Sequence, residues 1–154
     1  MSAQWQFIVT LNEHLRPLRN PAEIQDVAIR LIGKHLGASR VSYSYVDGDE
    51  FVMSRCYADG VKPLTGRGKL ALIGDALVDA YRRGETEVVN DLHTVPRLTN
   101  QARATWAAKD TVALVGVPLI KDGRWLASFN VHFRTPRKWS SDQIALIEMV
   151  AQRT

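Results

Sequence analysis

The sequence predicts an α+β domain: a central, mainly antiparallel sheet with helices on its faces and the N- and C-terminal helices packed together. Three observations carry this. Helix-period and strand-period segments follow one another in the order ααββαβαββα. Two pairs of strands are joined by short polar links, at 47–49 and 121–123, which place neighbours antiparallel. The 154 residues, 45% of them apolar, are enough for one domain with a full hydrophobic core.

Residues 3–16 read as a first helix, with Trp5, Ile8, Leu11 and Leu15 at helical spacing, Phe7 and Val9 widening the stripe, and Pro17 as the stop. A second helix starts at Asn20, a capping residue. Pro21 follows at the first helical position, Glu23 is placed to reach back to the cap, and Gly37 ends the helix. Residues 41–46 and 51–57 are strands around Asp47-Gly48-Asp49. Tyr43 and Tyr45 share one face of the first strand with Val41, while Ser42 and Ser44 share the other. Residues 58–69, rich in glycine, read as loop, and 70–83 as one helix stopped by Gly84. A short strand at 87–90, a loop at 91–98 and a short helix at 99–108 complete the middle of the chain.

Composition excludes several classes. Lys and Arg total 20 against 16 acidic residues, but no run of like charge marks a nucleic-acid arm. The single cysteine, Cys56, rules out an intrachain disulfide and a cysteine-based zinc site, and as a lone strand cysteine it reads as a small buried hydrophobe. No stretch has the length of a membrane span, and the first residues lack the basic start of a signal peptide, so a cytoplasmic location is expected.

The densest information lies at 112–137. VALVGVPLIKDGRWLASFNVHFRTPR is a hairpin about Lys121-Asp122-Gly123, and Trp139 then leads into Ser140-Ser141-Asp142-Gln143, the start of an apolar terminal helix. This hairpin, the exit Pro136-Arg137-Lys138-Trp139-Ser140 and the element order resemble a GAF domain over nearly the whole chain. GAF domains are small-molecule sensing and dimerisation modules of bacterial signalling proteins, so the resemblance implies a regulatory input without catalytic residues. The last turns, IALIEMVAQRT, resemble the helix by which such domains run on into a histidine kinase, which implies one domain, 1–154, within a longer receptor. Ile144, Leu146, Ile147, Met149, Val150 and Ala151 leave that helix apolar nearly all round, and Trp5, Phe7 and Leu11 pose the same question on the first helix. A parallel homodimer through the terminal helices is therefore expected.

The candidate binding residues come from the strand 125–134. Period two places Trp125, Ala127, Phe129, Val131 and Phe133 on one face and Ser128, Asn130 and His132 on the other. That polar row is either the wall of a ligand pocket or a solvent-facing row on an edge strand. With Tyr43 and Tyr45 from the first strand, and Arg103 and Trp106 closing from the short helix, it forms the expected site for an unidentified small molecule. Tyr43 and Tyr45 also suit an ordinary core, and Arg103 a solvated face. Trp125, His132 and Thr135-Pro136 loosely resemble the bilin-binding GAF domain of phytochromes, but the Asp-Ile-Pro signature is missing and no cysteine lies at 99–109. Covalent bilin is thus not expected. Noncovalent tetrapyrrole or haem, with His132 or His93 on iron, remains an alternative. The cyclic-nucleotide signature of other GAF domains is also missing, and one cysteine cannot run the thiol cycle of the GAF-type methionine sulfoxide reductase. No metal-spaced cluster appears. The contrasting reading is a ligand-free dimerisation and relay module whose pocket is filled by its own side chains.

Overall fold

The computed structural model describes residues 2–154. Local signals set most element ends. Helix α1 (Ala3–Leu15) is capped by Ser2, whose hydroxyl accepts from the Trp5 amide at 3.1 Å. Helix α2 (Pro21–Leu36) starts on Asn20, which accepts from the Ala22 amide at 2.8 Å, and ends where Gly37 turns left-handed at φ 68°. The side-chain cap of α2 is Asn20 alone among the described residues; the expected return bond from Glu23 does not form. Strands β1 (Arg40–Asp47) and β2 (Glu50–Ala58) make the first hairpin. Strands β5 (Ala113–Lys121) and β6 (Arg124–Phe133) make the second, its Asp122-Gly123 turn holding φ of 53° and 74° as a type I′ link requires. Helix α5 (Ser141–Gln152) opens with a full capping box between Ser140 and Gln143.

Two expectations are corrected in the middle of the chain. Residues 67–69, expected as loop, form a short edge strand β3 (Arg67–Lys69) paired with Glu50–Val52. Three residues are too few to show periodicity, and the pairing is set by the neighbouring strand. The single helix expected at 70–83 is a 3₁₀ turn (Leu70–Ile73) followed by α3 (Asp75–Arg82). Gly74 between them has φ 108°, which no helix contains, and a Cβ there would lie 2.8 Å from the Leu98 side chain. Strand β4 (Glu87–Val89) and helix α4 (Asn100–Ala108), capped by Thr99, complete the set.

The sheet runs β3-β2-β1-β6-β5-β4, antiparallel throughout. One face packs on α1, α2 and α5 through a core that includes Leu11, Ile32, Val41, Phe129 and Ile147. The other packs on the 3₁₀ turn, α3 and α4 through a second core with Leu77, Val89, Leu92, Trp106 and Leu114. Strand β6 lies between β1 and β5, so its alternate residues feed both cores.

The terminal helices lie side by side and parallel. Gln4 donates to the Asp142 carbonyl at 3.4 Å near their starts, and Arg153 donates to Asn12 near their ends. Within this single chain α5 is largely covered: Leu146, Ile147, Val150 and Ala151 are buried, and Ile144 and Met149 pack half-buried against the same core. Phe7 and Leu11 of α1 are buried as well, Phe7 stacking on His35 at 4.4 Å. The apolar surface left open on α1 is Trp5, 53% exposed, and Val9. The apolar α5 residues expected to meet a partner helix are thus taken up by the intramolecular core, and Trp5 and Val9 remain open.

Candidate functional site

The pleat of β6 turns Ala127, Phe129, Val131 and Phe133 to the helical bundle, and Ser128, Asn130 and His132 to the opposite face. These last three line a cavity roofed by the 3₁₀ turn, α3 and α4. Central position and cover settle the two sequence alternatives: the polar row is interior, not an exposed edge, with Ser128 and His132 each 4% exposed.

A register shift alters one expected member. Leu119 faces Ala127 and Ile120 faces Trp125, so Leu126 is an extra residue and projects outward, 42% exposed. The bulge rotates Trp125 off the Ala127 face and into the cavity wall. There its indole donates to the Ser128 hydroxyl at 2.9 Å and the Ala127 carbonyl at 3.0 Å.

His132 is the most constrained polar group of the row. Nη1 of Arg40 lies 3.3 Å from its Nδ1. A guanidinium only donates, so Nδ1 accepts and the ring hydrogen sits on Nε2. Nε2 has no partner among the described residues and belongs to a cavity-lining side chain. Burial, with Arg40 and Lys109 nearby, lowers the imidazole pKa to about 3, so the ring is neutral at physiological pH. Trp106 stands edge-on to it with centroids 5.5 Å apart and anchors α4 by donating to the Ile73 carbonyl at 3.0 Å.

Arg40 itself is 1% exposed. It donates to the Lys62 carbonyl at 2.8 and 3.2 Å, to Thr111 Oγ1 at 3.1 Å and to His132, and no carboxylate hydrogen-bonds it among the described residues. Lys109 enters the cavity wall from the end of α4, its ammonium 4.8 Å from the Phe51 ring centre. Phe51, Trp106, Trp125 and Tyr81 supply most of the aromatic surface. The half-open cavity has a volume of about 40 Å³, room for roughly three waters.

With this architecture in place, the family comparison is decisive. The GAF domain profile matches residues 20–154. The chain belongs to the GAF family. No curated protein matches the sequence. Among solved structures, this GAF domain resembles the chromophore-binding domain of an unusual bacteriophytochrome from R. palustris, at TM-score 0.81 and 14% identity over 97% of this chain. It spans 59% of that structure, and so only part of its length. It also resembles the far-red absorbing dark state of a protein with bound biliverdin IXa, at TM-score 0.83 and 13% identity, covering 96% of this chain and 94% of the other. A free methionine-R-sulfoxide reductase from Neisseria meningitidis, solved with its substrate, aligns at TM-score 0.75 and 14% identity, covering 97% and 84%. At these identities the likeness is one of fold.

In this GAF domain the expected site divides. Ser128, Asn130, His132 and Trp106 come together around the cavity. Tyr43 and Tyr45 do not. Tyr43 pairs with Phe129 and is buried in the bundle core, while Tyr45 is 42% exposed on that same side. Their serine neighbours carry the correct parity: Ser44 lines the cavity, and Ser42 and Ser44 lie 3.4 and 3.5 Å from Asn130 Nδ2, which donates to both. Arg103 also stays outside the lining, tied to the Val95 carbonyl at 2.5 Å and Asn100 at 3.3 Å. His93 lies in the loop before α4, apart from the cavity. Residues missed from sequence are Trp125, Tyr81, Phe51, Lys109 and, behind the wall, Arg40. The Ser42/Ser44 alternation is like that of Ser128/Asn130/His132, but the β1–β6 register is what decides which face of β1 joins the cavity.

Proposed function

We propose that this GAF domain is a non-catalytic sensory input: a small molecule enters the cavity over β6, and its binding is relayed to the terminal helices. The observation that carries the reading is the buried polar row Ser128, Asn130 and His132 under a roof of α3 and α4, on a strand whose other face is packed on the bundle. A ligand that draws on residues 128, 130 and 132 moves 127, 129 and 131 with them, and these touch the core shared by α1 and α5. The bias it imposes equals its differential affinity for the two bundle arrangements. The domain serves as the cytoplasmic input of a longer chain, a histidine kinase. It pairs with a second copy through the terminal helices around exposed Trp5 and Val9; no helix of the described residues is long and apolar enough to cross a membrane.

The room available favours a small ligand over tetrapyrrole or haem. Drug-sized and larger ligands occupy several hundred Å³, whereas about 40 Å³ is open here to water-sized centres. The same small volume favours the second reading, a relay whose pocket its own side chains fill. Native mass spectrometry of the protein as purified, with thermal shift across a panel of small metabolites, separates the two. Added mass or a stabilising metabolite, lost in His132→Ala while the fold persists, supports the sensor. A bare mass, with no metabolite shifting the melting curve and His132→Ala only destabilising, supports the relay. A visible absorption band with the mass of a tetrapyrrole would overturn the preference for a small ligand. Sedimentation that shows only monomer at tens of micromolar would remove the dimer.

A further inference from the structure

The lining of the cavity is chemically lopsided. It contains no aspartate or glutamate, and its one charged residue is Lys109. The Lys109 ammonium makes no hydrogen bond or ion pair among the described residues and faces only the Phe51 ring. It is not taken up by the end of α4. The amides of Lys109 and Thr111 already bond the Trp106 carbonyl, and that of Asp110 bonds Ala107. Behind the wall Arg40 adds a second positive charge that no carboxylate hydrogen-bonds. Both charges act on His132, whose Nδ1 is occupied by Arg40 and whose Nε2–H is left for the cavity. Asn130 spends its amide hydrogens on Ser42 and Ser44 and keeps only its Oδ1 acceptor, and the Ser128 hydroxyl already accepts from Trp125. At Lys109 and His132 the free polar capacity is therefore donor in kind and positive in sign.

The remaining wall is aromatic and apolar. Phe51, Trp106, Trp125 and Tyr81 suit a hydrocarbon body, and room for roughly three waters limits it to one or two carbons.

We propose that the cavity binds a short monocarboxylate with an apolar body of one or two carbons, its carboxylate held by Lys109 Nζ and His132 Nε2–H. This rests on the cavity being a ligand pocket. The ammonium gives a charge-assisted bond, and the neutral imidazole gives a directed one whose tautomer Arg40 fixes. Asp110 lends Arg40 a negative charge nearby, and a bound carboxylate supplies the counter-charge that Lys109 lacks.

The test uses the 154-residue protein with propionate, its neutral isostere propionamide, and the variants Lys109→Met and Lys109→Arg, read by calorimetry and by NMR of the Trp106 and Trp125 indoles. Propionate is expected to bind at least tenfold more tightly than propionamide and to shift both indoles. Lys109→Met should abolish that preference and Lys109→Arg should restore it, with circular dichroism reporting an intact fold in each. Equal binding of propionate and propionamide at the indoles would overturn the carboxylate assignment while leaving the pocket standing. Absence of any indole shift with either probe would remove the pocket reading and this inference with it.

Discussion

Arg40 Nη1 donates to Nδ1 of His132 across 3.3 Å, joining a fully buried cation to an imidazole in the cavity wall. The contact makes the imidazole an obligatory acceptor on one side and a donor on the other. It also opposes protonation, since a second positive charge would face the first.

That relationship has a pH consequence. The folded-state pKa of His132 is lowered to about 3, mainly by burial and then by Arg40 and Lys109, against roughly 6.5 in the unfolded chain. Between those values the unfolded state binds the extra proton, so stability rises with pH through this window and is lost as pH falls from about 6.5 toward 3. Urea denaturation from pH 7 to pH 4 should show this slope. His132→Gln, which keeps a neutral acceptor but cannot titrate, should flatten it relative to the parent.

Arg40→Met should destabilise the domain by roughly 2–4 kcal/mol, because the Lys62 carbonyl and His132 Nδ1 lose their donor inside the protein. The same variant should raise the pKa of His132 only in part, since burial, the larger cause, remains. Denaturant titration and NMR titration of the imidazole check the two halves separately.

Close approach of α3 to β5 depends on Gly116. A Cβ there would lie 2.1 Å from the Tyr81 hydroxyl oxygen and 2.9 Å from the carbon that bears it. Gly116→Ala should cost about 1–3 kcal/mol through overpacking. Adding Tyr81→Phe should recover part of the loss, since the nearest clashing atom is then gone. A double-mutant cycle in urea measures the coupling, and strict additivity would refute it.

Ser140 holds the start of α5 by accepting from the Gln143 amide at 3.1 Å, while Gln143 returns a bond to the Ser140 amide at 3.1 Å. Ser140→Ala should cost about 1 kcal/mol. Melting temperature should fall by a few degrees, with cavity-face residues unchanged in NMR spectra.

The local grammar of the chain was readable wherever a residue's own backbone preference decided the structure. Asn20-Pro21, Gly37, Asp122-Gly123 and Ser140 fixed their ends because capping and left-handed turns depend on the residue present. Parity within a strand was legible too: Ser128, Asn130 and His132 share a face as expected. Parity between strands was not. Tyr43 stands beside Phe129, and only the β1–β6 register shows that this places it on the bundle side. Trp125 escaped for a related reason, since one extra residue at Leu126 reverses the alternation before it. Lys109 and Arg40 carried no signal, because the neighbours that give them meaning lie far away in sequence.

Strand β6 also has an evolutionary reading. Odd-numbered positions from 127 to 133 hold the bundle, and even-numbered ones from 128 to 132 face the cavity. Substitutions at Ser128, Asn130 and His132 can thus change the shape and polarity of the cavity wall without disturbing the residues that keep the helices in place. Such a strand lets one wall vary while the scaffold stays fixed.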